Sequence, residues 1–297
     1  MDFLKLLNEQ QQQAVMAGLG PALVMAGPGS GKTRVLTYRI AYLIEMMGVR
    51  PHQILAVTFT NKAAREMETR VADILADKFT GDMQSQVQRP SLGTFHATCA
   101  RILRREANNL PFNANYVIFD SDDQINVVKQ AIRDIDLDEK LYRPHAVHSV
   151  ISKAKNELFF PGDFPIQNYR DEVMARIYRS YQELLLASNA LDFDDLLLWT
   201  AFAMENHPQV REYWGRRFEH VLVDEFQDTN LAQYELLKHL VHFHRNIYVV
   251  GDADQSIYGW RGADYRNVLR FETDFPDAQT ILLEHNYRST QPILDVA

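Results

Sequence analysis

Four short apolar runs mark the chain, at Ala22–Ala26, Ile54–Thr58, residues 221–224 and Ile247–Gly251. Each has the length of a buried strand and gives way to a turn signal or to helical spacing. Strands that alternate with helices need crossover connections, so the pattern predicts an α/β fold with a parallel sheet. From about residue 108 to 190 the spacing changes. Apolar positions recur at helical intervals over 123–135 and 172–186, and Pro144, Pro161 and Pro165 break the pattern. This stretch predicts a mainly α-helical domain (108–190) inserted into an α/β domain that occupies 1–107 and resumes over 191–285. The polar stretch 78–90, with Gly81 and several Gln, reads as an exposed loop.

The length of 297 residues suits two domains, and 46% hydrophobic with 24% charged residues fits a soluble globular chain. No apolar run approaches the roughly 18 residues needed to cross a bilayer. The start of the chain, with Asp2, Lys5, Asn8 and Glu9, lacks a signal-peptide core, so the expected location is cytoplasmic, with no membrane partner. A lone Cys99 excludes an internal disulfide and the usual zinc-ribbon spacings, and reads as a small buried hydrophobe. His239, His242 and His244 have no carboxylate or cysteine at ligand spacing, so no zinc site is expected there. A net charge of −8 argues against nucleic-acid binding through a bulk positive field. Any such contact must be local. The cluster Arg101, Arg104 and Arg105 reads as a solvated helix face.

The chemistry begins at Ala26-Gly27-Pro28-Gly29-Ser30-Gly31-Lys32-Thr33, which follows an apolar strand and opens the helical stretch 34–44. A glycine-rich turn in that position is a P-loop. Gly27, Gly29 and Gly31 let backbone N–H groups, that of Ser30 among them, curl around a β-phosphate. Lys32 reaches the β/γ oxygens and the Thr33 hydroxyl faces Mg²⁺. Ala26 stands where the general pattern has Gly, a small-for-small exchange. Far downstream, Val221-Leu222-Val223 ends in Asp224-Glu225. Asp224 at the strand tip can hold Mg²⁺ through water, and Glu225 can orient and deprotonate an attacking water.

The residues around these two motifs resemble a particular family. Asp224-Glu225-Phe226-Gln227-Asp228-Thr229, followed by Gly251-Asp252-Ala253-Asp254-Gln255-Ser256-Ile257-Tyr258-Gly259-Trp260-Arg261-Gly262-Ala263, resembles motifs II and III of the UvrD/PcrA/Rep-type superfamily 1 DNA helicases. Leu7-Asn8 with Gln11, Thr58-Phe59-Thr60-Asn61-Lys62-Ala63-Ala64, Gly93-Thr94-Phe95-His96, Leu191-Asp192-Phe193-Asp194-Asp195 and Asn286-Tyr287-Arg288-Ser289-Thr290 match further motifs in order. The resemblance spans nearly the whole chain. It implies a RecA-like P-loop domain carrying the inserted helical domain, with ATP and Mg²⁺ as cofactors.

The resemblance also implies roles. Gln11 would read the adenine edge, with Arg34 and Tyr287 flanking the base; a guanidinium plane and an aromatic ring both stack well on a purine. Gln255 would sense the γ-phosphate and couple it to DNA, and Arg288 would act like an arginine finger. Phe59, Tyr258 and Trp260 would stack bases, with Thr60, Asn61, His96 and Arg261 near the DNA backbone. Stacking of this kind needs no excess positive charge. Phe95 reads as core. The activity implied is that of an ATP-dependent 3′-to-5′ helicase of DNA repair or replication restart, acting on single strands and single/double-strand junctions. Two alternatives stay open: a nucleotide-dependent binding module without turnover, and the motor of a RecB-type helicase–nuclease. Because relatives continue through a second RecA-like domain, residues 286–297 read as the start of that domain and the chain as a fragment. Tyr287 and Arg288 are then expected on an unsupported tail, and turnover and unwinding by the isolated chain are expected to be weak or absent.

Overall fold

The computed structural model describes residues 3–75, 89–252, 255 and 266–289. The strands run β1 (Ala22–Ala26), β2 (Ile54–Thr58), β3 (Ser91–Thr94), β4 (Val117–Ile118), β5 (Ala190–Leu191), β6 (His220–Val223), β7 (Ile247–Gly251) and β8 (Gln279–Leu283). The helices run α1 (Glu9–Val15), α2 (Lys32–Glu45), α3 (Asn61–Leu75), α4 (Phe95–Glu106), α5 (Ser121–Asp134), α6 (Pro144–Asn156), α7 (Tyr169–Ala187), α8 (Phe193–Asn206), α9 (Pro208–Arg217), α10 (Leu231–Val241) and α11 (Arg266–Asp274). They divide into two compact units, one drawn from residues 1–95, 212–229 and 237–297, the other from 96–211 and 230–236.

The first unit is built on a six-stranded sheet in the order β3-β2-β6-β7-β1-β8, with every pairing parallel. The strands β2, β6 and β7 are buried at every position, hence on both faces, which is why they read as unbroken apolar runs. Two strands escaped the pattern, and both lie at sheet edges. In β3, Ser91, Leu92 and Gly93 are only half-buried, and β8 exposes Gln279, Thr280 and Leu282, so neither forms a continuous apolar run. Parallel strands end on the same side. The P-loop after β1, Phe59-Thr60 after β2, Asp224-Glu225 after β6, Asp252 after β7 and residues 284–288 after β8 therefore emerge along one edge of the sheet.

The second unit is mainly helical. Within it α5, α6 and α7 bury Val128, Ile132, Val147, Ile151, Ile177 and Leu185. The Asp120 side chain caps α5 by accepting from the amides of Asp122 and Asp123, and Pro144 starts α6 at its first turn, where its missing N–H costs nothing. A two-residue parallel ladder joins β4 to β5. Cys99 is fully buried and burial pushes its thiol up to about 12, the behaviour expected of a small inert hydrophobe.

This unit also holds a buried ionic cluster. Lys155 is wholly inaccessible, with Nζ 2.7 Å from Asp192 Oδ2 and 2.7 Å from Asp195 Oδ1. The Tyr181 hydroxyl donates to Asp192 at 2.8 Å, and Gln182 Nε2 donates to Asp195 Oδ1 at 3.1 Å. Burial pushes the Asp192 carboxyl up, but Lys155 outweighs it and holds that group below its usual range. Burial and the neighbouring Asp192 push Asp195 up to about 6. The Leu191-Asp192-Phe193-Asp194-Asp195 motif is thus the helix cap of α8 closed around a lysine.

Candidate nucleotide site and DNA-contact residues

The P-loop bends through two glycines in left-handed conformation, Gly29 at φ +73° and Gly31 at φ +92°. A side chain at either would be strained, and a Cβ on Gly31 would lie 2.9 Å from Gln11 Nε2. The turn delivers Lys32 to the first position of α2. There its ammonium, 9% exposed, lies 3.4 Å from Asp252 Oδ2, 3.3 Å from Gln255 Oε1 and 3.7 Å from Glu225 Oε2. Gln255 Nε2 donates to the same Asp252 oxygen at 2.7 Å. These oxygens surround Lys32 with acceptors of the kind that phosphate oxygens offer a P-loop lysine in general.

The two acids after β6 lie in different surroundings. Asp224 is buried, and burial followed by the charge of Glu225 pushes its carboxyl up to about 6. Thr33 Oγ1 donates to Asp224 Oδ2 at 3.3 Å. While it donates to Asp224, Thr33 Oγ1 keeps a lone pair for a hard cation, and Asp224 stands where it can accept from a water of that cation's shell, so the pair fits Mg²⁺ with Asp224 reaching it through water. Glu225 sits in left-handed conformation at φ 50°, uncommon for a residue with a side chain, and its carboxylate is 35% exposed. Gln227 Nε2 donates to Glu225 Oε2 at 3.0 Å while Gln227 Oε1 accepts from Asp252 N at 2.9 Å. Burial and Glu225 likewise push Asp228 up to about 6. Neither Gln227 nor Asp252 was singled out from sequence as a site residue, although both lie inside the motifs quoted for the resemblance.

Lys32, Thr33, Glu225, Gln255 and Arg288 line one cavity of about 320 Å³. Beside it, Gln11 is buried and half-committed: Oε1 accepts from Asn8 N at 3.2 Å and Nε2 donates to Ser30 O at 2.9 Å. One lone pair and one N–H remain, the pattern that matches an adenine edge. Arg34 Nη2 donates to Leu6 O at 2.7 Å and its guanidinium lies 5.5 Å from the Tyr38 ring. Tyr287 and Arg288 are not on an unsupported tail as expected. Tyr287 N donates to Gly29 O at 2.9 Å and its hydroxyl accepts from Asn8 Nδ2 at 2.6 Å, so the segment after β8 folds back onto the P-loop.

For the DNA residues the picture is partial. Phe59 is half-buried, its ring edge-on to buried Phe95 at 6.0 Å, while Thr60 and Asn61 are exposed at the start of α3 and Thr60 Oγ1 accepts from Ala63 N. In the second unit, His96 is half-buried and lies edge-on to Phe193 at 6.0 Å; burial lowers its pKa. Tyr258, Trp260 and Arg261 lie outside the described residues.

Residues 7–276 match the family model described as UvrD/REP helicase N-terminal domain. The chain is 47% identical over 293 residues to the ATP-dependent DNA helicase PcrA of Staphylococcus aureus strain Mu50, covering 98% of this chain and 39% of that protein. It is 46% identical over 296 residues to the ATP-dependent DNA helicase PcrA of Staphylococcus epidermidis strain ATCC 12228, covering 99% of this chain and 40% of the relative. The chain therefore spans about two-fifths of the length of the curated relatives it matches. With the family model covering most of its residues and nearly half of its positions identical to such relatives, the chain belongs to the UvrD/Rep helicase family.

Proposed function

We propose that this chain is the Mg-ATP-binding part of an ATP-dependent 3′-to-5′ DNA helicase that works in repair or replication restart on single strands and their junctions with duplex. The observation that carries the reading is the sharing of one cavity by Lys32, Thr33, Glu225, Gln255 and Arg288, with Asp224 hydrogen-bonded to Thr33. In this reading Thr33 and, through water, Asp224 would hold Mg²⁺, which would supply positive charge against the phosphates. Lys32 leaves Asp252 and Gln255 to meet phosphate oxygens. Glu225, half-buried and oriented by Gln227, takes the proton of the attacking water, and Arg288 offers its charge to the γ-phosphate. Freed from Lys32, Gln255 can report the γ-phosphate to the segment that follows it.

The proposed architecture is a RecA-like domain (1–107 and 191–285) with an inserted domain at 108–190; the second compact unit is wider, covering 96–211 and 230–236. Phe59, Thr60, Asn61, His96, Tyr258, Trp260 and Arg261 are each proposed to meet single-stranded DNA. This chain spans about two-fifths of the length of its relatives, and by itself is expected to bind Mg-ATP but to hydrolyse it more slowly than the full-length protein. The test is steady-state ATP hydrolysis by the full-length protein with and without single-stranded DNA. Strong stimulation by DNA is expected. Tight binding of both ligands with no turnover in either condition would make the protein a binding module.

A further inference from the structure

The turn that carries Arg288 is seated directly on the apex of the P-loop. Asn286 Oδ1 accepts from two backbone amides, Arg288 N at 2.8 Å and Ser289 N at 2.9 Å, which winds residues 286–289 into a tight turn. The same oxygen lies 2.7 Å from where a Cβ on Gly29 would stand, and Arg288 Cβ lies 2.6 Å from that point. Between these contacts Tyr287 N donates to Gly29 O. A third tie comes from Asn8 Nδ2 to the Tyr287 hydroxyl. These contacts join the backbone of the glycine-rich loop to the turn bearing a cavity-lining arginine.

We propose that Asn286 is a positioning residue, whose carboxamide holds the 286–289 turn in the shape that lets Tyr287 N bond Gly29 O, so that the P-loop and Arg288 move as one piece. The proposal rests on the reading of Arg288 as a γ-phosphate cation. An arginine on a flexible segment would lose side-chain and backbone entropy each time it met the phosphate; here the backbone share of that cost is already met in folding. Asn286 touches neither nucleotide nor metal in this scheme. It acts by fixing two amides, a task for an acceptor oxygen, so aspartate can replace it and alanine cannot. Gly29 is then required twice over, by its backbone conformation and by the lack of room above it.

The experiment uses the full-length protein in three variants, Asn286→Ala, Asn286→Asp and Arg288→Ala, each read by amide hydrogen exchange and by the ratio of affinities for a non-hydrolysable ATP analogue and ADP. Asn286→Ala is expected to lose protection at the amides of Arg288 and Ser289 and to reduce the ATP-to-ADP preference by the same factor as Arg288→Ala, on the order of 10-fold for one charge-assisted contact. Asn286→Asp is expected to keep both. Protection that survives in Asn286→Ala, or a preference that survives there while Arg288→Ala loses it, overturns the positioning role and leaves the Arg288 reading intact. A preference unchanged in Arg288→Ala overturns both together. Failure of aspartate to restore protection also overturns the proposal, since the acceptor would then not be what holds the turn.

Discussion

Lys32 Nζ stands 3.4 Å from Asp252 Oδ2, a cation held by a carboxylate where the proposed nucleotide would place a phosphate. A nucleotide bound as proposed would exchange that partner for its own oxygens, which would make Lys32 both the main attraction for phosphate and the group that neutralises Asp252 and Glu225 beforehand. Lys32→Ala removes both effects and leaves these acids facing the incoming phosphate. Calorimetry is expected to detect no Mg-ATP binding in that variant. Unchanged affinity would show that backbone amides alone hold the nucleotide.

Glu225→Gln tests the division of labour between the two acids. The amide keeps its size and can still pair with Gln227, but it cannot take a proton. In the full-length protein ATP affinity is expected to stay within a few-fold, while turnover falls by about 10²–10⁴, the usual worth of a positioned base. Hydrolysis at the parental rate would assign the proton to another group.

The Asp224 carboxyl, raised to about 6 from 3.8, makes a statement about pH. A carboxyl that binds its proton more tightly in the folded chain stabilises the fold below pH 3.8, and that contribution is lost as pH rises through about 6. Mg²⁺ needs the ionised form, so its binding gains strength over the same window. The rise in melting temperature that Mg²⁺ adds to ADP alone is expected to be larger near pH 8 than near pH 5. Asp224→Asn should leave only the pH dependence of the nucleotide itself. Equal increments at both pH values in the parent chain would move the cation away from Asp224.

Lys155 offers a test of stability in the second unit. Lys155→Met keeps the aliphatic stem but strands two buried carboxylates, a loss of about 3–5 kcal/mol for a broken buried pair. Asp195→Asn keeps the Lys155 to Asp192 contact and is expected to cost less. Urea unfolding of the chain compares the two. If Lys155→Met were as stable as the parent, the cluster would contribute nothing net.

Phe59 carries the prediction for DNA. Its half-exposed ring is expected to stack a base, so Phe59→Ala weakens single-strand affinity by about 1–3 kcal/mol with little dependence on sequence and little change in salt slope. A loss that appears for one base sequence only would point to edge recognition instead. No loss at all would make the ring a cover for Phe95.

Much of this protein was legible in its sequence because local physics decided it. The central strands had to be apolar throughout to survive burial on both faces, and the P-loop had to carry glycine where φ is positive, so Ala22–Ala26 and Gly29 announced themselves. Helix caps such as Asp120 and Asp192 also act over three or four residues, yet neither was read as a cap from the sequence. The edge strands β3 and β8 did not show, since one exposed face dilutes the apolar signal.

What only the tertiary structure decided are relationships between residues far apart along the chain. The pairing of Lys32 with Asp252, the enclosure of Lys155 by Asp192 and Asp195, and the seating of Asn286 on Gly29 join positions 220, 37 and more than 250 residues apart. No periodicity or spacing records such contacts. They arise because parallel strands end along one edge and bring their loops together, and because a buried charge must find its partner wherever the fold provides one. The sequence determined which residues could bind a nucleotide; the fold decided that the turn bearing Arg288 rests on the loop that would hold it.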